Sequence, residues 1–438
     1  MATASARVDG AVVETWARGT PAGASDRAPM DVLLVSSDTF PPTRVDVAVL
    51  FGEELAARGH RIDVILQSES ACERPYVTHW SGGQAWVGAT DLGHTLLARV
   101  HKHLLGIRED LRLFSLMRKG PYQLLIVKDK FVSGLLGLLA AAWYKRPFAY
   151  WLSYPIAESY LERARDGTGR YPLLYLIRGT FFKLLLYRVL LPRAEHVFVQ
   201  SEQMRSDVEG HGIHPAKITA VPMGVQPRMF PDLVPAEQAS VIDQPQILYL
   251  GSLGRDRRLD FLLRVLVRVR SEMAGARLIL VGRADEPSEE RLLREQIAQL
   301  GLQEAVVFTG QLPRTRALEL VAQADVCVSP IRPSPSLNPA SPTKLIEYMA
   351  MGKAVVANEH PEQKLLIEES RAGLCVPYEE QAFAQAIVTV LRDPQAAYAM
   401  GRRGRRYILE HRSYAVIADI VEGALARLAP NTCAELSR

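Results

Sequence analysis

M-D-V-L-L-V-S, Met30 to Ser36, is a short and mostly apolar run of the kind that forms a buried parallel strand. After a Pro-Pro turn, Val45 to Arg58 carries apolar residues at helical spacing and stops at Gly59, a residue type that commonly ends helices. Ile62 to Leu66 has the pattern of a second strand. A strand, a helix and a strand within about 35 residues predict a right-handed crossover unit, the building block of doubly wound sheets.

The same alternation of strands and helices continues through most of the chain. The other elements predicted in the first half are strands Leu124 to Val127, Phe148 to Leu152 and His196 to Gln200, and an apolar helix from Val132 to Trp143. A second series consists of strands Ile247 to Leu250, Leu278 to Val281, Val306 to Phe308, Val326 to Ser329 and Ala354 to Ala357, with helices Leu259 to Arg270, Ser288 to Leu300 and one beginning at Pro342.

A length of 438 residues exceeds what one hydrophobic core usually supports, so two domains are expected. We predict an α/β architecture of two Rossmann-like, doubly wound domains, residues 30–224 and 246–404, joined by a proline-containing linker at 225–245. Residues 1–29 lack a continuous apolar core and are predicted to be a disordered leader. Two such domains imply a cleft, with ligands beyond the carboxyl ends of the strands.

Composition excludes several classes of function. The net charge of +4, from 52 basic and 48 acidic residues, is too small to indicate a nucleic-acid partner, and no nucleic-acid motif is present. The four cysteines are scattered, without a C-x-x-C pair or a histidine at metal-ligand spacing, which favours reduced thiols in a cytoplasmic protein and no metal site. These cysteines are Cys72, Cys327, Cys375 and Cys433.

S-P-T-K-L-I-E, Ser341 to Glu347, predicts the start of a helix, with Ser341 as N-cap and Pro342 at the first helical position. A helix N-terminus presents unpaired N–H groups and a partial positive charge, to which Thr343 adds a hydroxyl and Lys344 an ammonium. Glu347 lies one turn later on the same side, where a carboxylate can accept hydrogen bonds from both ribose hydroxyls. An ordinary capped helix with solvated side chains is the alternative interpretation.

The turn G-S-L-G-R-D-R-R, Gly251 to Arg258, follows a predicted strand and opens a predicted helix. Its glycines let the backbone approach a ligand closely, and its arginines can clamp a diphosphate by bidentate contacts. The Gly-Arg pair after the next strand can bracket a base. A solvated basic surface is the alternative in both places. The candidate nucleotide-sugar contacts of these turns are Gly251, Ser252, Arg255, Arg257, Gly282 and Arg283.

Four runs of the sequence resemble the retaining GT-B glycosyltransferases of family 4. They are S-P-T-K-L-I-E-Y-M-A-M-G-K-A-V-V-A (Ser341 to Ala357), G-S-L…R-R-L-D-F-L (Gly251 to Leu262), L-I-L-V-G (Leu278 to Gly282) and F-V-Q-S-E…V-P-M-G-V (Phe198 to Val225). The resemblance extends over roughly Met30 to Leu428 and is strongest in the C-terminal half. It implies a GT-B fold, with a C-terminal helix at about 405–428 crossing back onto the first domain.

The resemblance also implies a metal-independent, cofactor-free transfer of a sugar from a nucleotide diphosphate donor, with retention at the anomeric carbon. Glu347 matches the second glutamate of the family's E-x7-E motif, the ribose ligand, and Arg257 falls where the family has a phosphate-binding lysine, with Arg255 as its neighbour. Thr343 and Lys344 supply the phosphate-facing helix start. We expect a UDP-sugar in preference to a GDP-sugar as donor, and a glycan or lipid-linked glycan as acceptor in surface polysaccharide or glycolipid biosynthesis.

The sequence departs from the family pattern at three places. Pro339 stands eight residues before Glu347, where the first glutamate of the motif contacts the donor sugar. Ser153, followed by Tyr154, stands where the first domain has a histidine, and Thr43-Arg44 replaces a Gly-Gly pair. We take Arg257, Lys344, Ser153 and Tyr154 as catalytic candidates. The acceptor candidates, which follow strands or open the following helix on the cleft side, are Asp46, Lys128, Asp129 and Glu158.

The run Tyr171 to Leu191 is long enough to span a bilayer but contains Arg178, Lys183 and Arg188. Three charges, at about 2.5–3.5 kcal/mol each, argue against spanning. Two interpretations stay open: peripheral association with the inner face of the cytoplasmic membrane, assisted by the basic stretch Arg99 to Lys119, or a helix packed on the first sheet. The three charged residues are five positions apart, a spacing that distributes them around the helix and gives no single polar face.

Two other functions remain as alternatives to a transferase. A sugar-nucleotide epimerase or hydrolase of the same fold needs acid and base side chains in the cleft, and the sequence shows no convincing set. A non-catalytic scaffold or binding subunit of a glycan assembly complex would explain the replacements at Pro339 and Ser153. Nucleotide binding and sugar transfer distinguish these three functions.

Overall fold

Two parallel sheets organise the computed structural model, which describes residues 28–90, 93, 96–167, 171–230, 243–284 and 286–428. Most of the predicted leader, the linker residues 231–242 and Cys433 lie outside the described residues. The other three cysteines, Cys72, Cys327 and Cys375, are free thiols. The expectation of a doubly wound α/β fold is confirmed, since both sheets carry helical crossovers between parallel strands.

The first sheet has eight strands in the order β3-β4-β2-β1-β5-β6-β7-β8, and only the β3–β4 pair is antiparallel. Its strands are β1 (Asp31–Phe40), β2 (Arg61–Ser68), β3 (Tyr76–Trp80), β4 (Gly83–Gly88), β5 (Leu124–Lys128), β6 (Phe148–Leu152), β7 (His196–Val199) and β8 (Ile218–Ala220). The order of strands reverses at β1, which lies between β2 and β5. The switch point of this sheet is therefore at the carboxyl ends of β1 and β5.

Helices cover both faces of this sheet. A π-helix, Asp46–Glu54, continues as α1 (Leu55–Ala57) and occupies the place of the helix predicted over Val45 to Arg58. The others are α2 (Leu96–Asp110), α3 (Arg112–Lys119), α4 (Phe131–Tyr144), α5 (Ile156–Arg165), α6 (Pro172–Leu185), a π-helix (Leu186–Leu190), α7 (Leu191–Arg193) and α8 (Glu202–Gly210). The run from Tyr171 to Leu191 is thus one helix with an irregular end.

The second sheet has six parallel strands in the order β11-β10-β9-β12-β13-β14, so that its switch point lies between β9 and β12. Its strands are β9 (Gln246–Leu250), β10 (Arg277–Val281), β11 (Val306–Gly310), β12 (Val326–Ser329), β13 (Val355–Asn358) and β14 (Gly373–Val376). Its helices are α9 (Leu259–Glu272), α10 (Pro287–Gln299), α11 (Arg314–Gln323), α12 (Thr343–Ala350), α13 (Pro361–Ser370), α14 (Glu380–Arg392) and α15 (Pro394–His411).

The last helix, α16 (Tyr414–Leu428), returns to the first domain. Its apolar face joins the core beside β1, the helix Asp46–Glu54 and β7, in one buried cluster with Leu34, Leu50 and Phe198. The predicted crossing helix at about 405–428 is in fact two helices, because α15 ends at His411 and stays packed on α12 and α14. The crossing itself therefore begins at Tyr414.

Ile417 and Ile420 lie on the same helix but differ in burial, with 0% and 39% of their surface exposed. We expect Ile417→Ala to lower the free energy of unfolding of the first domain by about 2–5 kcal/mol, because it leaves a cavity in the shared core. Ile420→Ala, the matched control, should change it by less than about 0.5 kcal/mol. Urea unfolding of both variants measures the difference, and equal effects would contradict the packing of α16 described here.

Candidate functional site

The helix that was predicted to hold a diphosphate, α12, begins at Thr343, with Pro342 in the N-cap position and no side chain capping it. The prediction of Ser341 as N-cap and Pro342 as first helical residue was wrong by one position. The Ser341 hydroxyl instead accepts a hydrogen bond from the Met223 amide of the first domain, at 3.1 Å. The first amide groups of α12 are consequently free of a side-chain cap, and Thr343 is exposed beside them.

Lys344 lies at the carboxyl end of β9, close to the switch point of the second sheet. Its ammonium Nζ donates a hydrogen bond to the Tyr249 hydroxyl at 2.8 Å and lies 4.1 Å from the centre of the Tyr249 ring. No carboxylate within the described ranges forms an ion pair with it. Burial and the nearby Arg257 lower the pKa of Lys344 from its ordinary 10.5 to about 7.

Gly251 makes room for this ammonium. Its φ is +147°, and a Cβ built on it would lie 3.3 Å from Lys344 Nζ and 3.5 Å from the Tyr249 hydroxyl. A larger residue here would be strained and would also crowd the cation. The glycine at position 251 thus leaves space for the ammonium of Lys344 beside Tyr249.

The two arginines predicted to clamp a diphosphate lie in a 3₁₀ turn, Arg255–Arg257, that links β9 to α9. The side chain of Arg257 is 39% exposed, and its one ion pair with a residue that the structure describes is a distant one, with Asp256 at 3.6 Å. It is close enough to lower the pKa of Lys344, so these two predicted phosphate ligands lie together. Arg255 is exposed and lines the cavity between the domains, and Arg258 is held by Asp260 at 2.9 Å.

The remaining predicted contacts of these turns differ in role. The Ser252 hydroxyl accepts a hydrogen bond from the Gly254 amide at 3.2 Å and so shapes the turn. Gly282 packs on the backbone of Gly251, where a Cβ would come within 1.9 Å of the Gly251 carbonyl oxygen. The structure thus gives Gly282 a packing role. The side chain of Arg283 is exposed at the end of β10.

Glu347 faces the same side of α12 as Lys344, one turn further on. Its Oε1 accepts a bond from Arg314 at 2.7 Å, and 19% of its side chain remains exposed. Burial raises the pKa of Glu347, and Arg314 offsets only part of that rise. Arg314 also lies 5.6 Å from the centre of the Phe230 ring. The arginine therefore orients the carboxylate through its Oε1 atom.

Three of the four acceptor candidates, Asp46, Lys128 and Asp129, form one cluster at the carboxyl ends of β1, β5 and β6. Lys128 is fully buried, and its Nζ lies 2.8 Å from Asp46 Oδ2 and within a short hydrogen bond of the Ser153 hydroxyl. Asp129 Oδ1 accepts a bond from the Ser153 amide at 2.7 Å. Burial raises the pKa of Asp46, but Lys128 and Arg44 more than reverse the effect and hold it below its usual value.

Asp129 is the strained member of this cluster, with φ at +55°. Its Oδ2 is buried and accepts no hydrogen bond from any residue that the structure describes, although Lys128 and Arg44 have nitrogens at 3.6 and 3.8 Å. Arg44, which replaces the expected Gly-Gly pair, is also bound to Asp46 at 3.2 Å and has 36% of its side chain exposed. Arg44 is therefore the solvent-facing side of the cluster.

The structure does not bring Glu158 to this cluster. Glu158 faces Lys183 of α6 at 3.6 Å and accepts a hydrogen bond from Tyr187, so it fastens α5 to the irregular end of α6. Its prediction as an acceptor contact is replaced by this packing role. Tyr154, in contrast, lines a cavity of about 1300 Å³ between the domains. The cavity wall includes Arg255 but neither Lys344 nor Glu347, so the cavity adjoins the phosphate residues on one side.

The segment after β12, which contains Pro339, bridges the two domains. The Pro339 carbonyl accepts a hydrogen bond from the Ser201 hydroxyl at 2.6 Å. Arg332 pairs with Glu162 of α5, and Ser336 donates a hydrogen bond to the same carboxylate. From the second domain, the His360 ring lies 2.9 Å from the Leu337 carbonyl. At the place of the missing glutamate the chain therefore makes a contact between domains.

Four residues of the site were missed by sequence reasoning: Tyr249, Arg314, Arg44 and Glu162. Arg314 follows β11 just as Arg257 follows β9, and this position after a strand was a usable signal. Tyr249 is a strand residue that looked like ordinary core. Glu162 joins the site through its contacts with Arg332 and Ser336 of the other domain, and these contacts have no local sequence signal. Within the described residues, no three His, Cys, Asp or Glu side chains cluster in a way that could hold a metal ion.

Replacing Lys344 by methionine tests the cost of its burial. The pKa of Lys344 is near 7 in the folded protein and 10.5 in its ordinary state, so the unfolded chain binds more protons between these pH values. The free energy of unfolding that Lys344 costs the protein is therefore largest at pH 7 and becomes smaller as the pH rises towards 10.5. We expect Lys344→Met to be more stable than the unaltered protein at pH 7, with a difference that declines towards pH 10. Paired melting curves across this range measure the trend. A difference that is constant with pH would contradict it.

Comparison with known proteins gives a consistent result. The family model "Glycosyl transferases group 1" matches residues 244–393, and the model "Glycosyl transferase 4-like domain" matches residues 46–224. The GDP-mannose-dependent alpha-(1-6)-phosphatidylinositol monomannoside mannosyltransferase of Mycobacterium tuberculosis is 25% identical over 426 residues, which cover 90% of this chain and 98% of that protein.

Two solved structures share the fold. A sucrose-phosphate synthase from Thermosynechococcus elongatus superposes with a TM-score of 0.69 at 22% identity, covering 91% of this chain and 98% of that one. Anabaena HepE, solved in complex with UDP, superposes with a TM-score of 0.64 at 17% identity, covering 91% of this chain and all of that one. The chain belongs to the group 1 glycosyltransferases of family 4 and has their GT-B fold.

Proposed function

We propose that this glycosyltransferase moves a hexose from a nucleoside diphosphate sugar to a glycan or lipid-linked glycan, with retention at the anomeric carbon and without a metal ion. The observation that carries the proposal is the half-buried Lys344, whose ammonium has no ion-pair partner in the described chain and lies beside Arg257 and the uncapped start of α12. A diphosphate supplies the missing negative charge. Glu347, one turn further on and paired with Arg314, is the proposed ligand of the ribose hydroxyls.

The donor nucleotide is proposed to be UDP, with GDP as second candidate. Anabaena HepE, which shares the fold, was solved with UDP. A GDP-mannose-dependent enzyme, however, is similar to this chain along nearly its whole length. Both are supporting observations from other proteins, and direct binding to this protein decides between the two bases.

Catalysis in this proposal is mainly electrostatic. In a retaining displacement, the acceptor attacks the face of the sugar from which the diphosphate leaves. Such a reaction depends more on a fixed position of the donor and on stabilisation of the departing diphosphate than on a strong base that removes the acceptor's proton. Lys344, Arg257 and the α12 amides stabilise the negative charge that develops as the sugar departs. A bound diphosphate also favours the protonated form of Lys344, so donor binding takes up a proton above pH 7.

The acceptor is proposed to enter from the first domain, where Asp129, Ser153 and Tyr154 lie on the cleft side of the sheet. A lipid-linked acceptor is supported by the mycobacterial relative, whose name specifies a phosphatidylinositol monomannoside. With such an acceptor the protein works in the cytoplasm at the inner face of the membrane, as a peripheral protein.

Thermal shift with UDP, GDP and ADP tests the donor site. We expect at least one nucleotide to raise the melting temperature, because a ligand that binds only the folded state stabilises it. The shift should fall by most of its size in Arg257→Ala and Glu347→Ala. Arg316→Ala and Glu319→Ala, an exposed pair on α11, are matched controls and should retain it. A protein that responds to no nucleotide would refute the donor site.

Sugar transfer separates the transferase from its alternatives. We expect release of the nucleoside diphosphate from one activated sugar in the presence of a glycan or lipid extract. Nucleotide binding without transfer or hydrolysis of any sugar would instead support a non-catalytic subunit. Conversion of the donor sugar to its epimer would support an epimerase.

Asp129→Asn tests the acceptor cluster independently of the donor. We expect turnover to fall by about tenfold or more, with the nucleotide thermal shift unchanged, because Asp129 lies in the first domain and the donor residues lie in the second. Asp207→Asn, which alters an exposed carboxylate on α8, is the control. Unaltered turnover in Asp129→Asn would remove this residue from the proposed acceptor site.

A further inference from the structure

Helix α6 presents an apolar face to solvent. Six large apolar side chains on it are between 46% and 70% exposed, namely Leu173, Leu174, Leu176, Ile177, Phe181 and Leu184. Their spacing places them on one side of the helix. On the opposite side, Gly179 is buried against Leu161 and the Ala157 carbonyl of α5. The helix thus packs on α5 and also exposes a continuous apolar surface, which folding alone does not explain.

Helix α4 adds to this exposed surface. Val132, Leu139 and Trp143 are 45%, 62% and 80% exposed. The two helices are neighbours, because the rings of Phe131 and Phe182 stack with centres 4.3 Å apart. Tryptophan at the edge of an apolar surface is typical of side chains that settle at the boundary between lipid and water.

The charged residues of these helices all have one sign. Residues 130–146 and 171–194 contain no aspartate or glutamate, and their seven charges are Lys130, Lys145, Arg146, Arg178, Lys183, Arg188 and Arg193. Two of the charges that the sequence distributes around α6 lie on either side of its apolar face. Arg178 stacks on the Tyr160 ring at 4.7 Å, and Lys183 faces Glu158 at 3.6 Å. The apolar face itself is therefore uncharged.

We propose that α4 and α6 form a docking surface for a bilayer that contains anionic lipids. The apolar side chains enter the boundary of the hydrocarbon region, while the basic side chains contact lipid headgroups. Lys130 and Lys183 are paired with Asp110 and Glu158, whereas Lys145, Arg146 and Arg188 are exposed and form no ion pair with a described residue. The structure favours an anionic bilayer over a second copy of the chain, because two copies would bring these uncompensated charges together. No helix in the described ranges is long and apolar enough to cross a membrane, so the contact is peripheral.

This inference deepens the proposed function by identifying where a lipid-linked acceptor would be met. Vesicle binding is measured without nucleotide, and nucleotide binding is measured without vesicles. The membrane surface and the donor site can therefore be refuted independently of each other. A variant that loses vesicles and keeps its nucleotide shift would place the lipid contact outside the donor site, as proposed.

Flotation of the full chain with vesicles tests the surface. Phosphatidylcholine vesicles containing phosphatidylglycerol should bind the protein at least about fivefold better than phosphatidylcholine alone. Ile177→Asp combined with Phe181→Asp should reduce binding by about tenfold or more, since both side chains are exposed and the core is untouched. Arg146→Gln combined with Arg188→Gln should remove the preference for anionic vesicles.

Val267→Asp, on the exposed side of α9 in the second domain, is the matched control and should bind like the unaltered protein. Three outcomes would overturn the proposal. They are no binding to either kind of vesicle, equal binding by the Ile177/Phe181 variant, or a dimer in sedimentation that this variant dissociates. The last outcome would assign the surface to a second copy of the chain.

Discussion

A half-buried lysine, Lys344, that has no carboxylate partner among the residues the structure describes is the constraint on which the second domain depends. Removing a cation from water lowers its pKa unless a negative charge compensates. In the described part of the chain, the ammonium of Lys344 contacts the hydroxyl and ring of Tyr249 and no carboxylate. Gly251 leaves space for the ammonium, Gly282 packs behind Gly251, and Arg257 adds a second positive charge. In the proposed function, a diphosphate is the anion that compensates these positive charges.

The first domain is arranged in the opposite way. Its buried cation, Lys128, is compensated by Asp46 and is hydrogen-bonded to Ser153, while Asp129 and Arg44 complete the cluster. Such a cluster holds side chains in fixed positions without attracting a diphosphate. The contrast between a compensated and an uncompensated lysine fits the proposed function, in which the second sheet holds the donor and the first positions the acceptor.

The sequence correctly predicted the strands that consist of continuous apolar runs. Strands β5, β6 and β12 are buried along their length and β1 is buried from Val32 to Ser36, so their pattern was unambiguous. The edge strand β3 is largely exposed and β8 has three residues, so neither produces such a run. The prediction of Ser341 as N-cap was wrong for another reason. Its hydroxyl accepts a hydrogen bond from the backbone amide of Met223, which is 118 positions away in the sequence. The Glu347–Arg314 pair and the Glu162–Arg332 contact likewise depend on tertiary approach.

Hydrogen exchange of backbone amides, with and without nucleotide, tests the central claim most directly, because it reports where the diphosphate binds. The structure predicts slower exchange with UDP or GDP in two peptides, one spanning residues 251–259 and one spanning 341–349, with Lys344→Met losing the effect. Nucleotide binding that protects other segments and leaves both peptides unchanged would contradict the proposed donor site.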